Sequence, residues 1–150
     1  AIAAYTGVHS NDIRAYILGE HGPNMVPLVS SVNLAGELAD DPEHQLELAR
    51  RSMQEGTDVF RIRGFTNHAI ARSAAMIVAA IVHDTRQTMP VSVWSDGYAG
   101  TEGVCLSLPC VIGWTRLQRI LHSALSNSER EKLQASADSI RQTVSACRTG

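Results

Sequence analysis

Ile17-Leu18-Gly19-Glu20-His21-Gly22-Pro23-Asn24-Met25-Val26-Pro27 begins as an apolar run, breaks at a glycine, and resumes as a second apolar run. Just upstream, Ile13, Ala15 and Ile17 alternate with other residues, as in a half-buried strand, so one strand is expected from Ile13 to Leu18. Gly19 ends that pattern, and Gly-Glu-His-Gly then throws one imidazole, that of His21, out at the strand tip. Pro27 fixes its own φ and stops any continuation of the sheet. An imidazole titrates near neutrality and can give or take a proton there, so His21 is a candidate general acid and base. The plainer reading is a turn histidine hydrogen-bonded to nearby backbone.

The chain around this stretch has 150 residues, 44% of them hydrophobic and 19% charged, with a formal net charge of −2. That length suits a single domain over residues 1–150, able to bury roughly 70% of the surface it would expose unfolded. With no basic block, neither nucleic acid nor an anionic membrane is an expected partner. No apolar run approaches the roughly 20 residues of a membrane span. Cys105, Cys110 and Cys147 have no paired spacing and read as reduced thiols of a cytoplasmic protein. The six histidines show no ligand spacing with cysteine or with each other, so no metal site is expected. The chain opens without a methionine, on what reads as the end of a helix, Ala1 to Tyr5, which suggests a piece of a longer protein.

Along the chain, His9-Ser10-Asn11-Asp12 is turn chemistry, and Leu28 to Leu34 is apolar but ambiguous. Asp40-Asp41-Pro42-Glu43 starts a helix that should run to about Arg63, with Gly56 as a weak point or a close-packing point in its middle. Thr66-Asn67 can cap a second helix reaching Gln87, whose Ile70, Ala74 and Ile77 share a face. Its small residues suggest that it is central and buried along most of its length. Past Met89-Pro90 the period changes to two. Val91 and Val93 lead to a turn at Ser95-Asp96-Gly97. Val104 to Leu108 forms a strand ended by Pro109, and Cys110 to Gly113 and Leu117 to Ile120 are further short strands. Ser126-Asn127-Ser128-Glu129 caps a last helix, with Leu133, Ala137, Ile140, Val144 and Cys147 as its apolar stripe. The order strand, two long helices, antiparallel strands, helix is that of an α+β domain with antiparallel sheets packed on long helices. No Gly-x-Gly-x-x-Gly follows a strand, so no Rossmann domain is expected in this chain.

Several of these segments, in this order, resemble the C-terminal, substrate-binding domain of the lactate and malate dehydrogenases, the L-lactate enzymes most of all. Leu18-Gly19-Glu20-His21-Gly22 is similar to the family's catalytic histidine motif, followed by Val26-Pro27. Arg63-Gly64-Phe65-Thr66 through Ala71 resembles its Lys-Gly-Tyr-Thr substrate segment. Gly103 to Pro109, Ile112-Gly113, and Leu125-Ser126 through Ala137 resemble its sheet and terminal helix. The chain departs from the pattern at Pro23-Asn24, where Asp and then Ser or Thr are usual, and at Val29, where many lactate enzymes carry Trp. Trp114-Thr115-Arg116 stands where a glycine is expected.

The resemblance implies hydride exchange between NAD and a small 2-hydroxy or 2-oxo acid. His21 would be the proton donor and acceptor, Thr66 would line the substrate pocket, and Ile70 would pack against the nicotinamide. Taken alone, Thr66 reads as a helix cap, Ile70 as core, and His68 and His83 as residues without a role. The carboxylate that orients the histidine, the arginine that grips the substrate carboxylate, and the NAD-binding domain would all lie upstream of Ala1. The chain by itself is therefore expected to be inactive. Gly56, about ten residues before Thr66, would enlarge the pocket toward branched 2-oxo acids. Arg14 stands where some bacterial lactate enzymes place a basic residue for fructose 1,6-bisphosphate, although a solvated strand charge also explains it. Malate dehydrogenase is the other enzyme reading, and a non-catalytic oligomerisation module is the reading outside enzymes. A homo-oligomer is expected in each case.

Overall fold

A computed structural model describes residues 2–38 and 42–148. The Asp40-Asp41 cap and Ala1 lie outside the described residues. The elements run α1 (Ile2–Thr6), β1 (Ile13–Arg14), β2 (Ile17–Gly19), β3 (Met25–Pro27), β4 (Asn33–Leu34), β5 (Glu37–Leu38), α2 (Pro42–Arg63), α3 (Asn67–Val82), β6 (Gln87–Tyr98), β7 (Thr101–Gly113), β8 (Arg116–Ile120) and α4 (Asn127–Arg148). All strand pairing is antiparallel: β1-β4-β5 form a small sheet, and β3-β2-β7-β6, with β8 on β7, form the main one.

β7 is the spine of the main sheet. Leu106, Leu108 and Cys110 alternate along its inner face and are fully buried, meeting Leu18, Val26, Leu28, Leu133 and Ala137. α4 packs on β7, β3 and β2, and so lies across the strand that carries His21. Burial pushes the Cys110 thiol above its ordinary pKa, and a weak contact to the Val91 carbonyl only partly opposes that.

The expected single strand from Ile13 to Leu18 is two strands in two sheets. Ile13 pairs with Leu34 in the small sheet, whereas Ile17 pairs with Pro27 in the main one. Tyr16 sits at the crossing and gives its carbonyl to Leu28 N–H. The ambiguous stretch after Leu28 resolves into a 3-10 turn, Val29–Ser31, and β4.

Pro109 does not end a strand. β7 runs straight through it, with Pro90 as its partner on β6. The Pro109 carbonyl faces the other way and accepts from Leu121 N–H at 2.8 Å, so the ring stands where the β6–β7 ladder needs no donor. The turn expected at Ser95-Asp96-Gly97 lies inside β6, where the register slips, and the chain reverses at Ala99-Gly100 instead. Both residues there have positive φ, 52° and 84°, as a tight hairpin demands. Inside it, buried Ser95 and Thr101 share a hydrogen bond of 2.7 Å.

α2 spans the expected residues, but α3 stops at Val82 rather than Gln87. Asp84 and Arg86 both adopt positive φ, which no helix continues through. The Asp84 carboxylate accepts from Trp114 N–H at 2.8 Å and pairs with Arg86, and these contacts, the Trp114 bond first, hold its carboxyl below the usual range against an opposing push from desolvation. In the Trp114-Thr115-Arg116 stretch after Gly113, Arg116 takes φ 73°, a conformation that glycine adopts more easily.

α3 is not buried along its length. Ala80 is its only buried residue, and Ile70 is 66% exposed. The face read as core is the wall of an open cavity. α4 is likewise covered only over its first half: Leu133 and Ala137 are buried, Val144 and Cys147 exposed. Its start is a capping box, as expected: Ser126 Oγ accepts from Glu129 N–H, and Glu129 accepts from Ser126 N–H.

Candidate active site

β2 ends at Gly19, which has φ 91°. A Cβ there would sit 2.6 Å from Ser136 Oγ, so both the backbone and the neighbouring helix require glycine. The turn that follows is closed on itself. The Glu20 carboxylate accepts from Asn24 N–H at 2.9 Å and from the Asn24 side-chain amide at 3.1 Å. The Asn24 backbone contact, with Ser139 and the Asn24 side chain, holds the Glu20 carboxyl below its ordinary pKa, against a push upward from burial. Asn24, a departure from the family pattern, is thus what staples this turn. Gly22 lies under the Glu20 carboxylate, where a Cβ would be 2.8 Å from Oε1. His21 stands exposed at the apex.

His21, Thr66 and Ile70 line one cavity of about 1490 Å³. The turn supplies His21, Gly22, Pro23 and Met25. α2 supplies Arg50, Met53, Gly56, Phe60 and Arg63, and α3 supplies Thr66, His68, Ile70, Ser73 and Ile77. Thr66 sits at the N-cap of α3, but its side chain makes no capping hydrogen bond. Its hydroxyl is therefore not committed to the helix end, contrary to the plain reading of a Thr before a helix. Gly56 has nothing within 4 Å of where a Cβ would stand, so it is a gap in the cavity wall and not a close-packing point.

Three groups on this wall went without a role in the sequence. His68 faces the same cavity, with its ring 6.2 Å from that of Phe65. Arg50 and Arg63 bring positive charge to it. The available signal was the i, i+3/i+4 spacing of Thr66, Ile70, Ser73 and Ile77, which marks a shared face but does not say whether that face meets core or void. Arg14 lies apart, in a smaller hollow with Tyr16, Gln87 and Thr88. Among the described residues, no cluster of His, Cys, Asp or Glu could hold a metal ion, and no helix is long and apolar enough to cross a membrane.

The arrangement places an imidazole, a hydroxyl and an apolar wall around one space. Residues 1–148 match the alpha/beta C-terminal domain of lactate/malate dehydrogenase. The chain belongs to that family. It is 36% identical to an L-lactate dehydrogenase of Synechococcus sp. (strain JA-3-3Ab), over 98% of this chain and 50% of the relative. It is 33% identical to the L-lactate dehydrogenase A chain of Trachemys scripta elegans, over 89% of this chain and 44% of that one. A solved L-lactate dehydrogenase from Clostridium thermocellum superposes with a TM-score of 0.89 at 26% identity, covering 97% of this chain and 50% of its own. The chain thus spans about half the length of the curated relatives it matches. The family's cofactor fits this site in one respect: Ile70, apolar and exposed on the cavity wall, suits the face of a planar ring.

Proposed function

We propose that this domain is the substrate-binding and proton-transferring half of an NAD-dependent L-2-hydroxy acid dehydrogenase of the lactate/pyruvate type. The observation that carries the reading is the convergence of His21, Thr66 and Ile70 on one cavity. When bound, NAD supplies the chemistry of accepting a hydride from the hydroxyl-bearing carbon. What this chain contributes is the proton. Neutral His21 takes the substrate hydroxyl proton onto a ring nitrogen, and in the reverse direction the imidazolium returns it to the ketone oxygen. Thr66 offers its uncommitted hydroxyl to the substrate, and Ile70 gives the nicotinamide an apolar face. The stapled turn fixes the backbone on which the imidazole is carried, which lowers the entropy lost on reaching the reactive geometry.

The partner half would bring the dinucleotide fold, a carboxylate to orient His21, and an arginine to grip the substrate carboxylate by paired hydrogen bonds. This chain alone is then inactive. Gly56 favours a second reading of the substrate: the open wall has room for the side chain of a branched 2-oxo acid. Turnover of pyruvate, oxaloacetate and 2-oxoisocaproate with NADH by the full-length protein tests both. Reduction of pyruvate or 2-oxoisocaproate supports the proposal, and failure with all three refutes it. Turnover by the 150-residue chain alone, free of contaminating enzyme, would refute the division of labour.

A further inference from the structure

We infer that Ser136 of α4 is a positioning residue, which sets the direction of His21 by gripping the residue just before it. The inference rests on His21 being the proton carrier. Residue 136 is remote in sequence, yet its hydroxyl meets the end of β2 directly: Glu20 N–H donates to Ser136 Oγ at 2.7 Å. Ser136 is fully buried, so water does not compete for that contact. Gly19 packs against the same oxygen so tightly that no other residue fits, which seats the strand end on the helix. Ser139, one turn along the same face of α4, helps hold the Glu20 carboxyl below its ordinary pKa. Ser136 therefore holds Glu20 by its backbone, and Asn24 holds it by its side chain. With Glu20 fixed at both points and the next peptide planar, the only torsions left to aim the imidazole are close to His21 itself. Asn24 closes the far side of the turn. Nothing in the His21 motif itself announces this helix contact.

The test is NMR on the full-length protein. Ser136→Ala should speed hydrogen exchange of the Glu20 amide by about tenfold relative to β7 amides, the size of one lost hydrogen bond. It should also shift or broaden the His21 ring resonances. Ser136→Cys, nearly the same shape with a weak sulfur acceptor, should fall between, and it serves if the alanine variant folds poorly. Ala135→Gly, an exposed change on the same helix, weakens α4 without touching Glu20, and should leave the His21 ring lines in place. In the full-length enzyme, Ser136→Ala should lower kcat about tenfold with KM little changed. Unchanged Glu20 exchange and unchanged His21 lines in both Ser136 variants would overturn the inference, as would equal shifts in Ala135→Gly. These readouts need no turnover, so absence of any dehydrogenase activity would count against the proposed function and not against the clamp.

Discussion

Replacing Glu129 with alanine removes one acceptor from four donors. Its carboxylate takes Ser126 N–H at 2.8 Å, Ser126 Oγ–H at 2.9 Å, Ser30 N–H at 3.0 Å and Ser30 Oγ–H at 2.5 Å. The residue is buried, and it ties the turn after β3 to the start of α4. Burial alone would raise its pKa, yet the hydrogen bonds from Ser30 and then Ser126 together outweigh it and hold the carboxyl below the usual value. Both serine hydroxyls are on exposed residues and can turn to water after the substitution. The two backbone N–H groups lose a charged acceptor, and each such bond is worth about 1.5–3 kcal/mol. The expected loss is then about 3 kcal/mol, a large fraction of the roughly 5–15 kcal/mol that holds a domain together. With a urea slope of about 2 kcal/mol per molar for a chain this size, the midpoint should fall by about 1.5 M.

The pH dependence has a definite sign. A carboxyl whose folded pKa is depressed stabilises the fold fully above its unfolded value, about 4.3. That share is lost as pH falls through the lower, folded value. The wild-type advantage over Glu129→Gln, which keeps the shape without the charge, should be constant from pH 7 to 5 and shrink below about pH 4. Urea titrations of the three chains at about pH 7, 5 and 3.5 measure it. A midpoint for Glu129→Ala within 0.3 M of wild type, on the order of 0.6 kcal/mol at that slope, would refute the reasoning, as would an advantage that grows on acidification.

Arg116→Gly should stabilise the chain by about 0.5–1 kcal/mol, because a left-handed conformation strains a side chain by about 1–2 kcal/mol and glycine's extra unfolded freedom offsets only part. A melting point raised by about 2–3 °C checks it, and a fall would contradict it. Gly56→Ala should add about 1 kcal/mol from helix propensity, since the new methyl meets nothing, and should raise the melting point similarly. In the full-length enzyme the same methyl narrows the cavity and should cut kcat/KM for 2-oxoisocaproate relative to pyruvate by about tenfold. Val59, Phe60, Ile62, Phe65, Val78 and Val82 leave large apolar side chains uncovered along and just after α2 and on α3, so the chain should self-associate. Light scattering that finds a monomer at high concentration would contradict this.

Much of the layout was legible because its signals are local. Ser126 and Glu129 sit three residues apart and cap α4 as such a pair should. Gly19 and Gly22 mark a turn that displays His21, and that turn is where the sequence puts it. What stayed hidden depends on partners distant in the chain. Ile70, Ala74 and Ile77 have the spacing of a buried stripe, and the spacing is the same whether the stripe meets core or an open cavity. Pro109 reads as a stop, because only the direction of its carbonyl, toward Leu121, makes it harmless in β7. The break at Ala15-Tyr16 depends on Ile13 and Ile17 finding different strands to pair with, which alternation cannot reveal. Ser136 carries no local mark at all, since its partner is a backbone amide at the other end of the chain.

If His21 carries the proton, His21→Asn in the full-length enzyme should abolish most turnover. Asparagine keeps a polar side chain of similar reach but cannot exchange a proton near neutral pH. Reduction of 2-oxo acids by NADH should fall about a thousandfold while NADH binding and the melting point hold. Turnover within tenfold of wild type would contradict proton transfer by His21.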